Sequence, residues 1–210
     1  MIWFTSDAHY GHNNIIRLCN RPFNDLNSMH EFMIQEWNKR VKNSEQVYIL
    51  GDFSFAGIKE TTKIISQLKG YKILILGNHD RQAKKMLSMG FDEVHENIWI
   101  EIGTQRLFLS HFPYHPMSAY YKLTNDQVTI AYPQEQIDTR YLHKRMVDDG
   151  QSWLLHGHVH NAYRQNGRQI NVGVDQWGFK PVPHEKILQM IKDGPKVGGN
   201  TGDQSQNGAD

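Results

Sequence analysis

Ile73-Leu74-Ile75-Leu76-Gly77-Asn78-His79-Asp80 joins four apolar residues directly to a glycine and three polar side chains. A short apolar run rich in β-branched residues and closed by turn residues reads as a buried strand. The chain around it repeats the arrangement. Ile2–Thr5 runs into Ser6-Asp7-Ala8-His9, and Val47–Leu50 into Gly51-Asp52. Leu107–Leu109 runs into Ser110-His111-Phe112-Pro113, and Trp153–Leu155 into His156-Gly157-His158-Val159-His160. Open α/β sheets bind ligands beyond the carboxyl ends of their parallel strands. Each of these five strands delivers Asp, Asn or His to such an end.

Helical patterns lie between the strands. Met29, Phe32, Met33, Trp37 and Val41 recur at three- and four-residue spacing, which is the core face of a helix. Ser28 with Glu31 has the spacing of a capping box. Ile64, Ile65 and Leu68 mark a second helix, ended by Gly70. Tyr141–Val147 and His184–Ile191 read as later helices. Strand–helix–strand–helix–strand order predicts parallel strands with crossover helices. Ile98–Ile102 and Leu107–Leu109, split by Gly103-Thr104-Gln105, predict a hairpin. Ile170–Val174 is the last strand pattern. The fold class expected is therefore α/β with mixed sheets. Phe112–Ser152 carries no strand pattern and reads as an excursion containing Tyr114, Tyr120, Tyr121 and Tyr132.

The chain has 210 residues, enough for one domain with a sizeable core. Lys and Arg total 23 against 22 Asp and Glu, and the net charge of +1 argues against a binder that relies on bulk basic charge. The lone Cys19 excludes an internal disulfide and any Cys-rich zinc module, and fits a reducing cytoplasm. No apolar run approaches the roughly 20 residues of a spanning helix, and the start lacks a charged leader and a cleavage site. A soluble, cytoplasmic protein without membrane partners is expected. Gly194–Asp210 reads as a disordered tail, with a partner-binding tail as the functional alternative. The 12 histidines outnumber phenylalanine or tyrosine at 9 each, which directs attention to metal and acid–base chemistry.

Each polar residue has a plainer reading. An Asp after a strand is commonly a turn residue or helix cap, Asn78 after Gly77 is a turn residue by itself, and His111 alone could be a satisfied buried imidazole. His158 and His160 stand two apart on an extended segment and share a face, as do Asp7 and His9. Five such arrangements together outweigh the plain readings. Carboxylate, amide oxygen and imidazole suit divalent Mg, Mn, Fe, Ni or Zn.

Asp7-x-His9, Gly51-Asp52, Gly77-Asn78-His79-Asp80, His111 and Gly157-His158-x-His160 resemble the five ordered blocks of the calcineurin-like metallophosphoesterase superfamily. The resemblance runs from about residue 2 to 191. Asp7-x-His9-x-Gly11-His12-x-Asn14-Ile15-Ile16, Cys19-Asn20-Arg21-Pro22-Phe23 and Asn171-Val172-Gly173-Val174-Asp175 are similar to the small single-domain phosphoesterases of bacteria and phages.

The resemblance implies a two-sheet mixed β-sandwich flanked by helices in four αββα layers. One domain would span residues 1–193, with a lid insertion at 112–152 and the tail at 194–210. One metal would be held by Asp7, His9, Asp52 and His160, and a second by Asp52, Asn78, His111 and His158, with Asp52 bridging. A metal-bridging hydroxide would attack phosphorus, His79 would act as general acid, and Asp80 would hold its imidazole. His12 would contact substrate or support the ligands, and His156 reads as a buried neighbour. His30, His95, His115, His143 and His184 match no block and default to surface or packing roles. Trp177 would stack on a base or cover the core. The four Tyr of the excursion, with Lys122, Arg140, Lys144 and Arg145, would form a lid for a nucleotide-like substrate, or be an ordinary insertion.

The function expected is dinuclear, Mn-dependent hydrolysis of small phosphomonoesters or phosphodiesters, nucleotides or cyclic nucleotides among them. A nuclease and a non-catalytic scaffold are the alternatives. Long nucleic acid is disfavoured by the charge, and a scaffold by the intact blocks.

Overall fold

The computed structural model describes residues 1–115, 121–124, 127–130 and 139–196. In chain order its strands are β1 (Ile2–Thr5), β2 (Gln46–Ile49), β3 (Tyr71–Ile75), β4 (Glu93–His95), β5 (Ile98–Ile102) and β6 (Gln105–Leu109). Then come β7 (Tyr121–Thr124), β8 (Gln127–Ile130), β9 (Trp153–His156), β10 (Gln165–Asn166), β11 (Gln169–Asn171) and β12 (Val182–Pro183). The helices are α1 (Ile15–Leu18), α2 (Leu26–Arg40), α3 (Ile58–Gln67), α4 (Ala83–Ser88) and α5 (His184–Asp193).

Two five-stranded mixed sheets form, in the orders β12-β1-β2-β3-β4 and β10-β11-β9-β6-β5. In the first, β1 to β4 run parallel and β12 joins β1 antiparallel. In the second, β6, β9 and β11 are parallel, and β5 and β10 are antiparallel edges. The expected parallel strands, mixed sheets and hairpin are present. Register places the site. Thr5 lies opposite Ile49, and Ile49 opposite Leu74, so three chains leave the first sheet at one level. Leu109 and Leu155 share a rung in the second.

Period-two alternation divides the apolar side chains between two cores. Phe4, Leu50, Ile73 and Ile75 face Leu107, Leu109, Leu155 and Ile170 of the second sheet, with Ile187 of α5. Trp3, Val47, Ile49 and Leu74 point the other way, onto Met29, Met33 and Trp37 of α2 and Ile64 and Ile65 of α3. Fully burying such a side chain contributes about 1.5–3 kcal/mol, and these central positions are inaccessible. On the outer face of the second sheet Phe108 and Leu154 lie under Tyr114 and Met146.

Several expected elements differ. Helix α2 begins one turn before Ser28. Asp25 is its cap and accepts from the Ser28 amide at 2.8 Å, while Ser28 closes the box from the third helical position. Tyr141–Val147 is replaced by a 3-10 turn, Thr139–Lys144. The excursion contains the antiparallel pair β7–β8; the lid reading of 112–152 otherwise falls partly outside the described residues. The tail reading begins too early, because the Gly194 carbonyl accepts from Gln165 at 3.0 Å and that of Lys196 from the Gly167 amide at 2.6 Å. Residues 197–210 lie outside the described residues. No helix among the described residues is long and apolar enough to cross a membrane.

Candidate active site

The loops after β1, β2, β3, β6 and β9 meet at one edge of the sandwich and bring Asp7, His9, Asp52, Asn78, His111, His158 and His160 together. Asp52 is central: its Oδ2 lies 3.6 Å from Nε2 of both His9 and His111. His9 Nε2 is 3.9 Å from Asp7 Oδ1, and His111 Nε2 and His158 Nδ1 each lie 3.0 Å from Asn78 Oδ1. Ligand atoms of Asp7, His9 and His160 form one cluster and those of Asp7, Asp52 and His111 another, each within 4.8 Å.

The backbone is shaped for this convergence. The described non-glycine residues with positive φ are Asp7, His9, Asn20, Asp52, His158, His160 and Phe179. Five of them belong to the ligand set. A left-handed residue costs about 1–2 kcal/mol, so such strain persists only where the surroundings enforce it. The Asp7 and His9 amides donate to the carbonyls of Gly51 and Asp52, both at 3.1 Å. The His158 amide donates to the Asp7 carboxylate at 3.0 Å, and the His79 amide to Asp52 Oδ1 at 2.9 Å. Gly77 and Gly157 sit so close to the carboxylates that a Cβ on Gly77 would strike Asp52, and one on Gly157 would strike Ser6 and Asp7.

This donor set fits divalent cations. His111 donates from Nδ1 to the Leu50 carbonyl at 2.8 Å, which leaves a lone pair on Nε2 facing the Asn78 oxygen. Two facing acceptors repel, and a cation between them removes the repulsion. His9 Nε2 is buried with no hydrogen-bond partner. Asp7 and Asp52 are buried carboxylates side by side, an arrangement that calls for positive charge. Burial raises the Asp7 pKa, opposed by His160 and His111. Burial, then His160 and Arg21, hold the His9 pKa far below the usual range. Burial and His111 bring His158 down to about 2, so both rings are neutral and ready as ligands. Burial opposes charge on His160 too, but hydrogen bonds to Asp175 and Cys19 and the charge of Asp7 push its pKa up to about 11.

His79 stands at the rim, with its side chain 46% exposed and Nε2 4.0 Å from Asp52 Oδ2. Asp80 does not hold its imidazole. The Asp80 carboxylate turns inward and accepts three amides, from Asp52 at 2.8 Å, Gly77 at 2.8 Å and Phe53 at 3.1 Å. The reason is local: the β2 and β3 loops present buried N–H groups that need an acceptor. Asp80 thus fastens one ligand loop to another. His12 Nδ1 lies 3.3 Å from His9 Nδ1. Phe55, which the sequence does not single out, stacks on His12 at 4.2 Å between centroids and contacts His9 and His79 at 5.0 and 4.6 Å.

His30, read as a packing residue, accepts the Gly11 amide at 2.9 Å and so anchors the loop after His9. His156 is fully buried with Nδ1 2.7 Å from the Gly157 carbonyl oxygen, and burial lowers its pKa to about 3. Trp177 donates to the Asn171 carbonyl at 2.8 Å, which agrees with the core-covering reading. The buried pair of Arg21 with Asp175 also abuts the site, at 2.8 Å. Its members lie in the segments Cys19–Phe23 and Asn171–Asp175, which the sequence marks without assigning them a role.

Parallel strand ends that gather carboxylates, an amide oxygen and imidazoles around two buried aspartates define a metal-dependent phosphoester hydrolase. The chain belongs to the calcineurin-like phosphoesterase superfamily, whose domain model matches residues 2–179. The Gene 66 protein of Mycobacterium phage L5 is 31% identical over 212 residues, 90% of this chain and 93% of that protein. A protein of Methanocaldococcus jannaschii is 27% identical across 93% of this chain and 94% of its own length. The crystal structure of the Aquifex aeolicus protein AQ665, described as of unknown function, matches with a TM-score of 0.63 and 30% identity, covering 91% of this chain and 99% of that one.

Proposed function

We propose that the chain hydrolyses small phosphomonoesters or phosphodiesters of nucleotide type with two divalent ions, Mn²⁺ by preference, in the cytoplasm. Asp7, His9, Asp52 and His160 would hold one ion, and Asp52, Asn78, His111 and His158 the other. The observation that carries the reading is Asp52 Oδ2, equidistant at 3.6 Å from His9 and His111, one from each half. A carboxylate so placed can bridge two cations. Such a pair supplies positive charge for the phosphoryl oxygens and acidifies a water at neutral pH.

The protein's own part is placement. The left-handed loops hold the ligands before substrate arrives, so little reorganisation accompanies the reaction. His79 is tied to Asp52 through its amide while its ring remains exposed. From there it can protonate the departing oxygen. A cleft of about 780 Å³ opens beside Asn78, with Arg81, His95, Phe112, Tyr141 and Lys144 on its walls. That volume suits a nucleotide-sized ligand, and its rings and cations suit a base and a phosphate. His12 at the rim of the ion site would contact the phosphate.

The test compares p-nitrophenyl phosphate, bis(p-nitrophenyl) phosphate and a panel of nucleotides and cyclic nucleotides, with Mn²⁺ and with chelator. Metal-dependent turnover of at least one is expected. No turnover of any of them with Mn²⁺ would overturn the proposal.

A further inference from the structure

Arg21 is almost completely buried, and apart from a 3.5 Å contact of Nη1 with Met29 Sδ the hydrogen bonds of its guanidinium lead to the same half of the site. Nε donates to Asp175 Oδ1 at 2.8 Å and Nη2 to Asp175 Oδ2 at 2.9 Å, a two-pronged pairing. Nη2 also donates to the Asp7 carbonyl at 2.8 Å, and Nη1 to the Ala8 carbonyl at 3.0 Å. Asp175 Oδ2 in turn lies 3.2 Å from Nδ1 of His160. The segment around Asp175 holds the His160 backbone as well: Asn171 and Gln176 donate to the His160 carbonyl at 2.8 and 3.1 Å. One guanidinium therefore connects Asp7, the residue joining Asp7 to His9, and His160. The other half is supported differently. His111 is oriented by the Leu50 carbonyl, and Asp52 is fixed by the amides and carboxylate of its own loops.

We propose that Arg21 and Asp175 are positioning residues that selectively preorganise the metal site of Asp7, His9, Asp52 and His160. The 3.2 Å contact with Asp175 Oδ2 occupies Nδ1 of His160 and fixes the ring's orientation, which leaves Nε2 as the nitrogen that would give its lone pair to an ion in exchange for a proton. Arg21 grips both Asp175 oxygens with Nε and Nη2 and hooks the Asp7-Ala8-His9 backbone into its left-handed turn through the Asp7 and Ala8 carbonyls. Partners of this kind behind a metal-ligating histidine change affinity by about 10–100-fold when removed. The inference rests on the dinuclear reading above.

The experiment is Mn²⁺ titration by calorimetry, with electron paramagnetic resonance to follow coupling between the ions. In an Asn78→Ala background, where the first site alone is intact, Asp175→Asn is expected to weaken Mn²⁺ binding about 10–100-fold. In a His160→Ala background, where the second site remains, the same change is expected to leave affinity within about twofold, since its ligands do not touch Asp175. Equal losses in both backgrounds, or no loss in the first, would overturn the inference. Asp175→Asn leaves Arg21 as an unpaired buried charge and can unfold the chain. The double variant Arg21→Gln, Asp175→Asn carries no such charge and gives the same readout. Wild-type protein binding a single Mn²⁺ would overturn the dinuclear reading. Two ions in wild type with unchanged variant titrations would overturn the positioning role alone.

Discussion

Asp80→Asn separates two accounts of one carboxylate. If Asp80 oriented His79, the isosteric amide would alter catalysis and spare the fold. The structure places the carboxylate against three amides instead, those of Asp52 and Gly77 on Oδ2 and Phe53 on Oδ1. An asparagine can keep its oxygen on the first two. Its NH2 then meets the Phe53 N–H, donor against donor. One hydrogen bond to a charged acceptor contributes about 1.5–3 kcal/mol, so the loss is about 2 kcal/mol plus weakening of the other two. Asp80→Ala removes all three and should cost about 3–5 kcal/mol, reduced by water entering at the partly exposed site. Urea unfolding in the presence of chelator measures this without a contribution from metal binding. Midpoints should fall in the order wild type, Asn, Ala with an unchanged slope. A loss below about 0.5 kcal/mol for both variants would refute the bracing role.

Other perturbations probe the remaining site. His79→Ala should lower kcat by about 10²–10⁴ while Mn²⁺ stoichiometry and stability stay near wild-type values, because the ring is nearly half exposed and its contact with the Asp52 carboxylate is long, at 4.0 Å; unchanged turnover removes the acid role. Gly157→Ala drives a methyl against Ser6 and Asp7, so metal affinity should fall together with stability, read by calorimetry and melting; a folded variant with wild-type affinity would contradict the close approach. Phe55→Ala should leave the fold intact, its ring being 38% exposed, but free His12 and His79 and lower kcat several-fold; equal kinetics would show that the stack does not position them. Chelator should abolish turnover and lower Tm, with Mn²⁺ restoring both, since ions that bind only the folded state stabilise it by mass action.

The strand-and-ligand pairs were legible because both signals are local. Apolar runs such as Ile73–Leu76 mark buried strands, and the next few residues must emerge at their ends. The Arg21–Asp175 pair was not legible as a pair. Its members are 154 residues apart, and tertiary contacts such as the Ser6–Gly173 bridge and the packing of Phe23 on Phe179 bring their segments together. Adjacency to His79 suggests a contact for Asp80, whereas its partners are main-chain amides, which leave no mark in a sequence. Ser28 could stand at either end of a capping box, and the choice fell to Asp25 because the helix gains a turn by starting there. Strands β4, β10 and β12, at three and two residues, are too short for periodicity to register and exist through their neighbours' pairing.

Left-handed backbone at Asp7, His9, Asp52, His158 and His160 bears on how the two sheets cooperate. At about 1–2 kcal/mol each, these conformations together are comparable with the whole stability of a domain. No single loop could sustain them. The compensation is reciprocal: the first sheet's Asp7 accepts the second sheet's His158 amide, and the β2 loop accepts the Asp7 and His9 amides. Asn171 of β11 and Gln176, beyond it, hold the His160 carbonyl. Each strained ligand is thus fixed by a different chain segment from its own. Metal geometry is thereby coupled to sandwich closure: a substitution that separates the sheets, such as Leu109→Ala or Leu155→Ala at the inaccessible interface, should weaken Mn²⁺ binding without touching a ligand. A core variant of this kind that loses about 2–5 kcal/mol of stability yet binds Mn²⁺ as tightly as wild type, under conditions where both are folded, would show that the loops hold their shape independently of the sandwich.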